Sequence, residues 1–208
     1  VTGAAATGNS ILRNYISNNV GLGIDLVNNG NNNQASPALT GVSLGTTTTT
    51  ISGFLTSVPS QNYRIEFFFN SQCDSSGSGE GENYLGGATN TPVGFINVTT
   101  NLVGVAGFNP TFNNFVAPAG TFLTATATRL SGGGAPLETS EFSGCLGVPG
   151  NSFPTCNAAF LPQVGSFRIQ GGTSSISVYL KSDCPWTATS ALPWVSIASG
   201  ASGTGNGT

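Results

Sequence analysis

Asn62-Tyr63-Arg64-Ile65-Glu66-Phe67-Phe68-Phe69-Asn70, followed closely by Cys73, is the stretch on which the fold turns. Its alternation reads as a strand. Tyr63, Ile65, Phe67 and Phe69 project to one side, while Arg64, Glu66 and Phe68 project to the other, which places Glu66 on a solvent-facing side. A second stretch answers it: Phe122-Leu123-Thr124-Ala125-Thr126-Ala127-Thr128 alternates small apolar residues with threonine, and Glu141-Phe142-Ser143-Gly144-Cys145 follows. Two β-rich segments, each ending near a cysteine, predict one stapled β-sandwich. Shorter strands are expected at Ile51-Ser52-Gly53-Phe54-Leu55, at Val93-Gly94-Phe95-Ile96-Asn97-Val98, and over residues 112–116 and 138–142. About seven short strands with a turn every 8–12 residues or so describe an immunoglobulin-like sandwich.

Charged residues make up only 6% of the 208-residue chain, against about 25% in an average soluble domain. Glycine, serine, threonine and asparagine carry the polarity instead. Apolar residues at 38%, set in alternating runs, argue for packed β structure rather than disorder. The net charge is -3, and the five basic residues, Arg13, Arg64, Arg129, Arg168 and Lys181, are scattered. That gives no footprint for nucleic acid and no polybasic patch for an anionic membrane. No apolar run approaches the ~20 residues that span a bilayer. Val1-Thr2-Gly3-Ala4-Ala5-Ala6 has neither a methionine nor a charged start, so a processed or truncated N-terminus is expected.

The chain divides by composition. Residues 1–45 form a first segment, 46–146 the sandwich, 147–155 a Gly/Pro/Asn linker, and 156–208 a last β-rich segment, an all-β organisation throughout. Four cysteines, Cys73, Cys145, Cys156 and Cys184, allow three pairings. None has the spacing of a zinc or redox site, and the chain has no histidine. Disulfides of a secreted protein are the expectation; the alternative is free thiols in a reducing compartment. The pairing Cys73–Cys145 with Cys156–Cys184 respects the proposed boundary.

Within the first segment, Asn9-x-Ile11, Asn14-x-Ile16 and Asn19 recur at a fixed interval, and Gly21-Leu22-Gly23-Ile24-Asp25-Leu26 follows. Asparagine tolerates the left-handed backbone of a corner and can bond its counterpart on the next coil, while isoleucines stack inside. Residues 8–26 resemble the last coil of a right-handed parallel β-helix. A single coil cannot bury its own interior, so further coils, or a neighbouring molecule, are expected to cover it.

The sandwich segment resembles the immunoglobulin-like domain that follows the β-helix in many bacterial surface proteins. The matching positions are Ile51-Ser52-Gly53-Phe54-Leu55, Tyr63-Arg64-Ile65-Glu66-Phe67-Phe68, Cys73-Asp74, Gly79-Glu80-Gly81-Glu82, residues 120–128, and Thr139-Ser140-Glu141-Phe142-Ser143-Gly144-Cys145. The resemblance supports the Cys73–Cys145 pairing and implies a secreted structural domain without catalysis. Cys184-Pro185-Trp186-Thr187-Ala188-Thr189, Trp194-Val195-Ser196-Ile197 and the Gly-rich end make residues 165–208 resemble the first half of a BACON domain, a small all-β family associated with carbohydrate binding. The family continues beyond this point, so a truncated end, or one completed by strand addition from another chain, is expected.

Without histidine no Ser-His-Asp or Cys-His system can be built. Glu66, Glu80 and Glu82 read as solvated surface acids. Asp74, Glu80 and Glu82, on a Ser/Gly loop of hard oxygen donors, are the candidate calcium ligands. Trp186 and Trp194 are candidates for stacking on sugar rings, with packing on the Cys184 disulfide as the competing role of Trp186. Asn97-Val98-Thr99 and Asn206-Gly207-Thr208 make Asn97 and Asn206 candidate N-glycosylation sites, with chance occurrence in an Asn/Thr-rich chain as the competing reading.

The sequence therefore predicts a non-enzymatic, extracellular or cell-surface structural protein. Incomplete ends that meet copies of itself, or the missing parts of a longer chain, would give a filament by head-to-tail contact. The alternatives are a carbohydrate-binding or adhesion protein and an accessory fragment of a polysaccharide-acting enzyme.

Overall fold

The structure is a computed structural model that describes residues 1–73, 77–86, 94–149, 159–161, 171–173, 175–179, 184–190, 192–205 and 207. The chain forms two compact units. One comprises residues 1–116 and 121–148, the other 117–120 and 149–208. Among the described residues there is no α-helix, only a 3-10 turn at Gly30–Asn33 and β-strands. No helix among them is long and apolar enough to cross a membrane.

Among the described residues of the first unit ten strands follow in order: β1 (Ala38–Leu44), β2 (Thr48–Thr56), β3 (Asn62–Asn70), β4 (Asn83–Tyr84), β5 (Phe95–Thr99), β6 (Val105–Phe108), β7 (Thr111–Asn113), β8 (Phe122–Leu130), β9 (Pro136–Thr139) and β10 (Leu146–Gly147). They make two antiparallel sheets. One runs β1-β2-β6 with β7 also on β2; the other runs β10-β8-β3-β4, with β5 on β3 and β9 on β8. The central pair is β3 with β8, in register from Asn62 opposite Leu130 to Asn70 opposite Phe122.

That register sets one inner face. Ile65 lies opposite Ala127, Phe67 opposite Ala125 and Phe69 opposite Leu123, and all six are fully or almost fully buried. The small alanines of β8 leave room for the phenylalanines of β3. Phe67 then meets Phe108 and Phe112 of the facing sheet edge-on, with ring centroids 5.8 and 5.4 Å apart, and Phe69 meets Phe115 at 4.8 Å. Such pairs add about 0.5–1.5 kcal/mol each beyond their buried area.

The opposite face of β3 departs from the expected pattern. Glu66 is fully buried and Phe68 is 2% exposed, so the prediction that this side meets solvent is wrong. The reason lies in the chain's beginning. The segment before β1 lies across the outer face of this sheet, against Glu66, Phe68 and Phe142. The threonines of β8, Thr124, Thr126 and Thr128, are buried beneath the same face. Reading β3 as a strand with one wet face missed this covering segment.

The described residues of the second unit form two short antiparallel pairs. These are β11 (Ala159–Leu161) with β12 (Ser177–Tyr179), and β13 (Pro185–Thr187) with β14 (Ser202–Thr204). The strand read over residues 165–169 lies outside the described residues.

Candidate functional site

The densest polar constellation of the first unit is the seam where residues 1–33 meet the outer sheet face. The segment is first folded on itself. Thr2 and Val27 form a parallel bridge, with Gly3 N–H donating to Val27 O and Val27 N–H to Val1 O, both at 2.9 Å. Further on, Asn31 N–H donates to Ala6 O at 2.8 Å. The Asn31 side chain, fully buried, accepts from Asn9 N–H and Asn9 Nδ2 at 3.0 Å and donates to Asn9 O at 2.7 Å and Thr139 O at 2.9 Å. The corners between these contacts are left-handed: φ is positive at Arg13, Asn18, Asn28, Asn29, Asn31, Asn32 and Asn33. Asparagine adopts this region at low cost because its short amide bonds locally.

The folded segment then attaches to the sheet through glutamates. Arg13 N–H donates to Glu66 Oε2 at 2.8 Å, and Leu26 N–H to Glu141 Oε1 at 2.9 Å. Asn19 donates to Glu80 Oε1 from its N–H at 3.1 Å and from Nδ2 at 2.8 Å. Asn32 Nδ2 donates to Glu138 Oε1 at 3.0 Å. Between these lie the backbone pair of Ile16 with Gly81 at 2.8 and 2.9 Å, a backbone bond from Thr139 N–H to Asn9 O at 3.1 Å, and the bond from Ile11 N–H to Thr139 Oγ1 at 2.8 Å. Four of the chain's five glutamates thus serve as acceptors for one segment. Beside the polar contacts, Ile24 packs with Phe68 and Phe142, and Ile11, Ile16, Leu26 and Tyr84 close around them.

Charge is balanced locally. Arg64 Nη2 lies 2.7 Å from Glu66 Oε1, and the Arg64 guanidinium stacks 3.5 Å over the Phe95 ring. Burial first, and the Glu66 charge second, push the Tyr84 phenol above its ordinary value. Arg129 grips Glu138 with two bonds, Nε to Oε2 at 2.9 Å and Nη2 to Oε1 at 3.0 Å. Each of these carboxylates is committed as a hydrogen-bond acceptor, so the seam is chemically suited to holding chain segments together.

The residues singled out from sequence fall elsewhere or take other roles. Cys73 and Cys145 are bonded, with Cα atoms 6.0 Å apart. Cys184 is also disulfide-bonded, while Cys156 lies outside the described residues. Glu80 and Glu82 are partly exposed, and both carboxylates accept hydrogen bonds at the surface. Glu80 is taken by Asn19, and Glu82 Oε2 accepts from Ser71 N–H at 2.6 Å and Ser71 Oγ at 2.7 Å. Asp74, the third candidate calcium ligand, lies outside the described residues. Among the described residues no group of three or more acids, cysteines or histidines could hold a metal.

Trp186 and Trp194 have different settings. Trp186 is half-buried on β13, and its Nε1 donates to Gly205 O at 2.9 Å. Its ring is pressed on Gly203, where an added Cβ would lie 2.7 Å from Cζ2. Trp194 is 73% exposed. Asn97 is exposed on β5, and Asn206 lies outside the described residues. The roles of Glu66, Glu138 and Glu141 were missed from sequence. A signal was available: in a chain this poor in charge, acids set inside apolar strands need a buried partner. The chain matches no protein-family model and no curated protein.

Proposed function

We propose that the protein is a non-enzymatic extracellular structural protein. In this reading residues 1–33 are a terminal coil of a parallel β-helix, the two sheets of the first unit are an immunoglobulin-like cap that seals one face of that coil, and the second unit is a partial BACON-like sandwich. The observation that carries the reading is the parallel pairing of Thr2 with Val27, reinforced by the Asn9–Asn31 amide pair. Parallel pairing at a separation of 25 residues is coil-on-coil geometry. The disulfide fits an oxidising, extracellular setting.

One edge of the coil is taken up by the glutamates. The N–H of Ser10, between the bonded N–H groups of Asn9 and Ile11, meets no partner among the described residues. Successive N–H groups of an extended chain point to opposite sides, so the free edge is the assembly surface for a like coil. Sedimentation and electron microscopy across a concentration series test this. Wild-type protein is expected to associate, and Ser10→Pro, which deletes one edge donor, is expected to weaken association. A monomer at every concentration removes the assembly role. Turnover of any polysaccharide by the pure protein overturns the structural reading itself.

A further inference from the structure

The first unit contains a cavity of about 550 Å³, within the size range of small-molecule sites. It lies where the Gly30–Asn33 turn meets the connection between β2 and β3 and the hairpin of β8 and β9. Asn32, Asn33, Gln34, Val58, Arg129 and Glu138 line it. We propose that this cavity is a binding site for a neutral sugar unit of a glycan, a role separate from the assembly edge.

Charge selects the class of ligand. Arg129 and Glu138 are the charged residues of the lining, and their two-point pairing cancels both charges within the wall. An anionic ligand would meet the Glu138 carboxylate and a cation the Arg129 guanidinium, so neither gains a net attraction. The unspent polar atoms are of both kinds. Each amide nitrogen spends hydrogen on the protein: Asn32 Nδ2 one to Glu138, Asn33 Nδ2 one to Asn29 Oδ1 at 2.7 Å, and Gln34 Nε2 both to Ala35 O and Ser57 Oγ. That leaves the Oδ1 atoms of Asn32 and Asn33 and Oε1 of Gln34 as acceptors, with Arg129 Nη1 and the second N–H of Asn32 and of Asn33 as donors. A ligand that answers this set must donate and accept at several adjacent points, which vicinal hydroxyls do. Val58, 55% exposed, supplies an apolar wall for the C–H face of a sugar ring.

The site is also preformed. Asn31, Asn32 and Asn33 take φ values of 46°, 54° and 48°, a left-handed turn anchored from below by the buried Asn31 amide. Binding then has little backbone ordering to offset.

The test is an array of neutral oligosaccharides (glucans, mannans, galactans, xylans) printed beside uronate-containing and sulfated ones. Hits go to titration calorimetry with wild type, Asn33→Gly, Val58→Glu and Trp194→Ala. Asn33→Gly keeps the left-handed backbone and deletes the ligand-facing amide along with its bond to Asn29, and Val58→Glu places a charge in the wall; thermal melts establish that both remain folded. A neutral hit is expected, with affinity lowered about three- to tenfold by Asn33→Gly, as for one lost hydrogen bond. A larger loss is expected in Val58→Glu and no change in Trp194→Ala. No hit, or hits confined to anionic glycans, overturns the proposal. So does affinity that survives both cavity variants but is lost in Trp194→Ala, which moves glycan binding to the second unit.

Discussion

The backbone N–H of Arg13 donates to Glu66 across 2.8 Å, joining residues 53 apart in the chain. The same carboxylate faces Arg64, whose side chain is 14% exposed while that of Glu66 is fully buried. Glu66→Ala would strip both partners at once. Breaking one side of a buried pair costs about 3–5 kcal/mol, and urea unfolding should show a loss of that size. Glu66→Gln keeps an acceptor for Arg13 and should cost less. In both variants amide exchange at Arg13 should quicken before exchange in β3 does.

Cys73 and Cys145, 72 residues apart in sequence, close a loop that holds β4 to β9, while β1, β2 and the central strand β3 lie before it. Restricting an unfolded loop of that length stabilises by about 4 kcal/mol in the chain-entropy model. Cys73→Ser with Cys145→Ser should lower the unfolding free energy by about that amount, measured by denaturant titration with and without reductant. Reductant should have no further effect on the first unit of the double variant.

Glu138 gives the fold a dependence on acid. Burial pushes its carboxyl up, but the Arg129 guanidinium, helped by a backbone bond and Asn32, outweighs burial and holds it below the ordinary value of 4.5. A carboxyl depressed in the folded state stabilises above its unfolded pKa, and that contribution fades as pH falls through the folded one. Denaturant midpoints should therefore drop below about pH 4.5. Glu138→Gln should be less stable at pH 7 and show a shallower decline toward pH 3. An unchanged slope would assign the acid sensitivity to other carboxyls.

The two tryptophans should behave oppositely. Trp186→Ala removes a half-buried ring and its bond to Gly205, at about 2–3 kcal/mol, below the range for a fully buried ring. Trp194, 73% exposed, should be replaceable without a change in melting temperature. Acrylamide should quench Trp194 fluorescence first, and single-tryptophan variants separate the two signals.

Much of the body was legible in sequence because alternation in long apolar strands is a strong signal. Residues 62–70 are a strand as read, the strand read over 122–128 runs on to Leu130, and Cys73 pairs with Cys145. Shorter strands were missed. Val105–Phe108 carries a glycine at its third position, and Ala38–Leu44 is interrupted by a bulge between Leu39 and Gly41, so neither has a clean period. The seam was legible only as a hint: acids set within apolar strands call for a buried partner, but nothing in the sequence says which one. Alternation tells which residues share a face of β3, but not what covers that face, and Glu66 looks the same in sequence whether it meets water or the N–H of Arg13. The Asn repeat announced corners; only the structure brings Asn9 against Asn31 and both onto Thr139.

The glutamate seam also solves a problem of spent partners. The segment lies across the face of a sheet whose main-chain N–H and C=O groups are already paired along its own ladders, as between β3 and β8. The segment's N–H groups must therefore find their acceptors mostly on side chains. The side chains of Glu66, Glu80 and Glu141 each present two oxygens on a rotatable stem, and each meets an N–H of the segment. They act as a gasket between two surfaces that share no ladder. At Arg13 and Leu26 what the gasket reads is main chain, so it should tolerate other side chains there, whereas Asn19 also gives its Nδ2 to Glu80 and should not be exchanged freely.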